Sequence, residues 1–449
     1  MDVAVIGAGL AGAEAAWQLA ERGHLVRLHE MRPTHPTPAH TTGLAAEMVC
    51  SNSFKSDDSN SATGILKSEM QRLQSLVLAA AERCRVPAGN SLAVDRMAFS
   101  ESITCALHTH PRIHWVNELV EVPDLRLPTI IATGPLTADP LAHWISREVT
   151  GGGLYFYDAI APIIEASSID QEIAFKASRY GKGGADFLNC PLDADQYNRF
   201  LDALLTAPRV ELHDLDTPFF EACLPIEVMA DRGRETLRHG PMKPVGLDDP
   251  RTGRWPHAVV QLRQDTLAGD HFNMVGFQTR LKWGAQQEVF RLIPGLENAV
   301  FPRFGSIHRN TYVNAPTVLD ATLAVKKTPG IWMAGQLSGV EGYLESAAAG
   351  LAAGIAVDRF ARGLPTAPFP LETMLGALLH YLAHASSKDF CPTNAMLGLL
   401  PALPEGELDH RALKRAGGLR ALKAAKGAAH RARAITALEA HLQFLGERL

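Results

Sequence analysis

The spacing of apolar residues changes twice within the first thirty positions. Residues 3–6 (VAVI) are an unbroken apolar run and predict a short strand. Residues 13–22 are rich in Ala, Glu, Leu and Gln and predict a helix, closed by Gly23 in a C-cap role. Residues 25–29 predict a second strand that finishes on Glu30. Further along, 129–135 (TIIATGP) reads as a strand running into a Thr133-Gly134 turn. Residues 330–336 (GIWMAGQ) read as another strand, followed by a loop and a helical run over 345–360. From about residue 371 onward the pattern is mostly helical, with apolar residues at helical spacing over 374–382.

Between the first strand and the first helix lies Gly7-Ala8-Gly9-Leu10-Ala11-Gly12. Gly7 permits a tight turn, Gly9 lets a pyrophosphate approach the backbone, and Gly12 allows helix and strand to pack closely. The helix N-terminus offers free N–H groups and partial positive charge to phosphates. Glu30, eighteen residues beyond Gly12, stands where a carboxylate binds ribose hydroxyls. The motif alone does not separate FAD from NAD. The strands ending at Thr133-Gly134 and at Gly335 favour FAD, because such segments return to the first sheet in two-domain flavoproteins. No second GxGxxG follows, which argues against a separate nicotinamide domain.

About two hundred residues separate Gly134 from Gly330, too many for a loop. The expected fold is α/β: a Rossmann-like FAD-binding domain of the glutathione-reductase type, interrupted by an inserted α+β domain, with a helical C-terminal tail. The expected division is 1–135 and 329–365 for the dinucleotide domain, 136–328 for the inserted substrate domain, and 366–449 for the tail.

Composition narrows the class without naming it. The 449 residues are 46% apolar and 20% charged with a formal net charge of −5, so a nucleic-acid partner needs a local basic patch. One exists: residues 410–438 hold eight Lys or Arg and no acid. A solvated helix would look the same, but the missing acids tilt the reading toward a polyanion gripped by its backbone. No apolar stretch is long enough for a membrane span, and the N-terminus lacks the basic region of a signal peptide. The expectation is a cytoplasmic protein with no membrane partner.

Six scattered cysteines form no CxxC pair, so neither a disulfide framework nor a zinc site is expected. Cys84 and Cys105 fall on helical runs and read as packing. Cys50 (in EMVCSNS) and Cys223 (in FFEACLPIE) lie in polar, loop-like settings, and each reads equally as reactive or structural. Activation of either thiol would need a basic group or a helix end. The run 306–312 (SIHRNTY) gathers an imidazole, a guanidinium, an amide and a phenol, suited to a planar ligand or to a hydrogen-bonded strand edge. Lys182 sits in a mobile GKGG turn without P-loop spacing. His108 and His110 lack an acidic third ligand and read as structural, so no metal is expected.

These segments resemble the folate- and FAD-dependent tRNA uracil-5-methyltransferases, the TrmFO family, relatives of the GidA/MnmG flavoproteins. The matching stretches are GAGLAGAEAAW from Gly7, EMRP from Glu30 with TPAH from Thr37, and AEMVCSNSFKSDD from Ala46. Others are LAVDRMAFS from Leu92, IATGPLT from Ile131, KGGADFLNCP from Lys182 and FEACLPIEVMADRGRETLRHGPMKPVGL from Phe220. SIHRNTYVNAPTVL from Ser306 and MAGQLSGVEGYLESAAAGLAAG from Met333 complete a set running through most of the first 355 residues in family order.

The resemblance implies methylation of the T-loop uridine, position 54 of tRNA, to ribothymidine. 5,10-Methylenetetrahydrofolate would give the carbon, FAD the hydride, and NAD(P)H would reduce the flavin. Position by position, it implies that Cys223 attacks uracil C6 and Cys50 is the second catalytic cysteine, a candidate for removing the C5 proton. His308 would stack on the folate pterin, with Arg96 and Asn310 as polar neighbours. Gly7, Ala8, Gly9, Leu10, Ala11, Gly12, Glu30, Thr133, Gly134, Gly335, Gly342 and Tyr343 would hold FAD. A GidA-type wobble-uridine enzyme would need a much larger C-terminal helical domain. The alternative of another class is an FAD-dependent oxidoreductase acting on a small molecule without RNA.

Overall fold

Val3 and Val5 are fully buried, as a strand covered on both faces requires. In the computed structural model, which describes all residues except 38, 152–153, 182–183, 211–223, 366, 389, 405, 407 and 447–449, that strand, Asp2–Ile6, is the centre of a five-stranded sheet. From one edge the order is Ile331–Met333, Thr129–Ile131, Asp2–Ile6, Leu25–Glu30 and Ile113–Asn117, all parallel. The arrangement is Rossmann-type. The first helix, Leu10–Glu21, begins earlier than the 13–22 pattern suggests, because the glycine turn itself opens it at Gly9.

Small residues decide how tightly this unit closes. A Cβ on Gly12 would lie 1.7 Å from the Gly7 carbonyl oxygen, so any side chain there would push the helix off the turn. A Cβ on Gly350 would lie 2.0 Å from the Ala11 oxygen. The helix Tyr343–Ala361 is therefore laid directly on Leu10–Glu21. His24 and Asp358, both buried, meet at 2.7 Å across the far end of this contact.

After Thr129–Ile131 the chain leaves the parallel sheet and returns at Ile331–Met333. Outgoing strand Leu154–Ile160 and returning strand Ser306–Tyr312 pair antiparallel, with His308 opposite Asp158. Beyond them lies an antiparallel sheet in the order Phe175–Lys176, Phe187–Leu192, Ala258–Gln264, His271–Met274, Ile163–Glu165. It has a core of its own, in which Phe200, Phe277 and Phe290 are completely buried. Lys182 of the GKGG turn lies outside the described residues. A small sheet of Ser53–Ser56, Ser91–Val94 and Arg85–Val86 lies against the first unit.

Toward the C-terminus, the helix Met374–His384 packs on Ala62–Arg72. The long helix His410–Leu445 follows the predicted basic run. It is docked through Gly427, where a Cβ would lie 2.1 Å from the Asn60 oxygen, and through Arg433, which donates to the carbonyls of Pro401 and Ala402. Arg415, Arg420, Lys423 and Lys426 are exposed and, at 3.6 residues per turn, stay on one side. Cys84 is buried as expected, but Cys105 is exposed: it falls on the outer face of the helix Arg96–Thr109 and does not pack. His108 stacks on Trp115 at 4.6 Å and His110 lies 3.0 Å from Glu21. Among the described residues no group of three His, Cys, Asp or Glu could hold a metal, and no helix is long and apolar enough to cross a membrane.

Two buried glutamates tie helices together at their N-termini, where a carboxylate satisfies N–H groups that have no helical partner. Glu14 accepts from Val77 N and Ser75 Oγ. Glu69 accepts from Met374 N at 2.7 Å and Leu375 N at 2.9 Å. Burial pushes the Glu69 carboxyl up to about 7 from the ordinary 4.5, and the two N–H bonds only partly oppose it. The folded chain therefore takes up a proton at Glu69 between those values, and stability falls as pH rises from about 4.5 to about 7. In urea unfolding, the stability of wild type relative to Glu69→Gln should drop by about 3 kcal/mol across that window. A pH-independent difference would show that Glu69 is ionised throughout.

Candidate active site

The helices Ala62–Arg72, Leu76–Arg83, Arg96–Thr109, Ala194–Thr206 and Met374–His384 are capped by Ser61, Ser75, Asp95, Asp193 and Thr373 side chains. The helices Leu10–Glu21 and Tyr343–Ala361 are not: Gly9 and Gly342 stand at their caps and offer no side-chain acceptor. Both ends open on one cavity of about 400 Å³. Its wall includes Gly7, Gly9, Leu10, Ala11, Glu30, Thr133, Gly134, Gly335, Gly342, Tyr343 and Cys50.

At the glycine turn, a Cβ on Gly9 would meet nothing within 4 Å, so the backbone faces open space where a phosphate could approach. Gly7, at φ +96°, makes the turn itself. Glu30 at the end of its strand accepts from Ala8 N at 2.9 Å, Arg32 N at 3.0 Å and Arg32 Nε at 2.9 Å. Burial alone would raise its carboxyl, but the Arg32 guanidinium and the two N–H bonds outweigh that and hold it below the usual value. Ala8 and Gly12 do not reach the cavity; they anchor Glu30 and the turn instead.

At the other end of the cavity, Cys50 N and Ser51 N donate to Tyr343 Oη at 2.7 and 3.3 Å, and Cys50 Sγ lies 3.0 Å from the same oxygen. With two N–H donors filling the phenol's lone pairs, its own hydrogen is directed at the sulfur. Burial, then the neighbouring cysteine, push the Tyr343 pKa well above 10, so the phenol stays protonated.

Three arginines surround this pair. Arg96 Nη1 donates to Met48 O at 2.8 Å and its Nε to Asp265 at 2.9 Å. Arg263 Nη2 donates to Ser51 Oγ at 3.0 Å, and Arg303 Nη2 to Ala39 O at 3.4 Å. Arg96 Nη2 and Arg263 Nε are buried without a partner. Burial and the like charge of Arg96 lower Arg263 to about 10 and lower Arg303 as well. An excess of guanidinium over carboxylate beside a thiol favours an anion there.

The model for the family described as glucose inhibited division protein A matches residues 2–365. A "Methylenetetrahydrofolate--tRNA-(uracil-5-)-methyltransferase TrmFO" of Solibacter usitatus (strain Ellin6076) is 54% identical over 408 residues, 90% of this chain and 92% of the relative. The protein of the same name in Moorella thermoacetica is 55% identical over 404 residues, 89% of this chain and 92% of the relative. The chain belongs to the TrmFO family. Outside the TrmFO family, GidA of Aquifex aeolicus shares the fold, with a TM-score of 0.65 at 17% identity over 84% of this chain and 67% of that one. The dinucleotide-binding fold expected from the glycine motif is thereby established.

Of the residues the TrmFO resemblance singles out, the structure brings Cys50 and Tyr343 together with the glycine turn. Arg96 lies behind the cysteine segment rather than on the cavity wall. Cys223 lies outside the described residues, as do the side chains of His308 and Asn310, whose backbone forms the returning strand. Arg32, Arg263 and Arg303 were not expected, nor were Glu47, which pairs with Arg32, and Lys55, both of which line the same cavity. Arg32 falls inside the matched EMRP segment and Glu47 and Lys55 inside AEMVCSNSFKSDD, which was the available signal; Arg263 and Arg303 had none. Tyr343→Phe keeps the ring but strips the acceptor from two N–H groups. It should cost about 1–3 kcal/mol in urea unfolding; an unchanged midpoint would mean that water replaces the phenol oxygen.

Proposed function

We propose that the chain is a methylenetetrahydrofolate--tRNA-(uracil-5-)-methyltransferase, forming 5-methyluridine at position 54 of the tRNA T-loop in the cytoplasm. The observation that carries this reading is a single cavity joining the phosphate cradle at Gly9 to Cys50 at the uncapped Gly342 turn. The activity for which these relatives are named supplies the substrate class.

The cradle fits FAD. Gly9 leaves room for the pyrophosphate, the uncapped helix start supplies N–H donors, and Glu30 stands at the ribose position. Thr133, Gly134 and Gly335 would line its path, and Gly342 and Tyr343 would hold the ring. When bound and reduced by NAD(P)H, FAD supplies the hydride that turns a transferred methylene into a methyl.

The chain's own residues do the remaining work. The Cys223 thiolate adds to uracil C6, and the electron pair moves to C5, which then attacks the methylene carbon of the folate. Cys50, held by the Tyr343 phenol in a field of three arginines, takes the C5 proton. The methylene carbon parts from both folate nitrogens, which leave with tetrahydrofolate, and once it has received the hydride the Cys223 sulfur departs from C6 and the ring is restored. His308 would stack on the folate, with Asn310 and Arg96 as polar neighbours. The target uridine must leave the stacked tRNA elbow to reach this site. Residues 1–135 and 329–365 act as the FAD domain, 136–328 as an inserted domain for tRNA and folate, and 366–449 as a helical region with a basic face.

Incubation of the flavin-loaded protein with tRNA transcript, methylenetetrahydrofolate and NADH should yield ribothymidine, and no product with FAD intact would overturn the reading. Cys223→Ala should abolish covalent trapping by a 5-fluorouridine T-arm RNA. Trapping abolished in Cys50→Ala instead would reverse the two cysteine roles. Replacing Arg415, Arg420, Lys423 and Lys426 by Gln should weaken tRNA binding. The slope of log K against log salt should fall by about one for each phosphate that a side chain no longer neutralises. An unchanged slope would place the tRNA elsewhere.

A further inference from the structure

Two unfavourable features converge on the strand that follows Cys50, and nothing in the reaction above uses them. The strand Ser53–Ser56 pairs with Ser91–Val94 with a register shift between Ser53 and Ser56. Inside that irregularity Lys55 has φ +62°, in the left-handed region that a residue with a side chain rarely adopts. The carbonyls displaced there are gathered by Lys67, a lysine only 4% exposed, whose Nζ lies 2.7 Å from Ser56 O and 3.4 Å from Lys55 O. Burying an ammonium is expensive, and Asp57 Oδ1 at 3.4 Å offsets only part of that cost. A strained lysine and a buried lysine together fix one side chain.

That side chain reaches the head of the helix Tyr343–Ala361. Lys55 Nζ lies 2.8 Å from Glu345 Oε1, and 2.8 Å from the point where a Cβ on Gly342 would stand. Glu345 is fully buried; Ala395 N shares its Oε1 at 3.0 Å, and its Oε2 has no hydrogen-bond partner. A carboxylate in the first turn cancels the positive end of the helix. Lys55 restores the positive charge, and of the pair it is Lys55 that lines the cavity, beside Gly342, Tyr343 and Cys50.

We propose that Lys55 is a positioning charge that sets the reduction potential of the flavin held at the Gly342 turn, with Glu345 as its opposing partner. The inference rests on the FAD reading given above. Hydride uptake from NAD(P)H brings two electrons and one proton, so the bound ring gains one negative charge while the nicotinamide leaves oxidised. A cation on the cavity wall favours that reduced, anionic form, and a carboxylate behind it disfavours it.

The test is equilibrium reduction of the flavin-loaded protein against a reference dye. Lys55→Met should shift the two-electron equilibrium about ten-fold toward oxidised flavin, a fall of about 30 mV in midpoint. Glu345→Gln should shift it the opposite way, and Lys55→Arg should stay near wild type. Opposite signs for the first two variants support the proposal, because a lysine that merely stabilised the fold would not move the potential in two directions. Bound flavin with unchanged or same-sign midpoints overturns it. If Lys55→Met does not retain flavin, an upward shift in Glu345→Gln alone decides in favour and no shift decides against. A wild-type protein that takes up no FAD at all would overturn the cofactor reading, and this inference with it.

Discussion

The contact between the helices Leu10–Glu21 and Tyr343–Ala361 governs where everything else can sit. Gly350 lets the backbone of Tyr343–Ala361 rest on the Ala11 carbonyl, and Gly12 lets Leu10–Glu21 rest on the Gly7 turn. Helices set this close bring their N-termini to one cavity, and neither N-terminus carries a side-chain cap. Five other helices take that cap from Ser, Thr or Asp; its absence at these two ends turns N–H groups without a helical partner toward one shared space. An electron-rich ligand with a phosphate at one end and a planar ring at the other answers both needs at once.

How much of this was legible in the amino-acid sequence follows from how far apart the interacting residues are. The strand, glycine turn, helix and Glu30 lie within thirty positions, and local spacing is enough to place them. The return of the chain at Ile331–Met333 is legible because an apolar run before a glycine turn has few other uses. The pattern misplaces the helix start by three residues because Leu10-Ala11-Gly12 reads as turn from composition while the backbone is already helical. Cys105 reads as packing because its helix is apolar on average, although its own position faces solvent. Arg96, Arg263 and Arg303 come from a helix start, a strand of the second sheet and the run before the returning strand. No spacing rule joins three such positions. Only folding brings their charge to one cysteine.

That gathering of charge is costly, and the costs show where the chain has been constrained. Arg96 and Arg263 each leave a buried nitrogen unpaired, Glu345 leaves a buried oxygen unpaired, and Lys55 holds a strained backbone. Other buried atoms among the described residues also lack a partner, but here unpaired charged groups coincide with a strained backbone beside one cavity, which indicates a site built for something other than stability. The glutamates that cap helices, Glu14 and Glu69, make the opposite case. They too are buried, but each accepts at least two hydrogen bonds, and they lie where they fasten one helix to another.

The distinction separates two uses of the same chemistry. At Glu69 a carboxylate meets a helix N-terminus and closes it, and its role ends there. At Glu345 a carboxylate meets a helix N-terminus and would close it too, except that Lys55 draws the carboxylate's charge toward itself and stands on the cavity side. The helix end is thus left electrically open while its carboxylate stays buried. A bare helix terminus would achieve the same sign of potential, but solvent and any passing anion would compete for it. A terminus held by an ion pair has a potential set by two fixed charges, and a single substitution in either one can move it in a known direction.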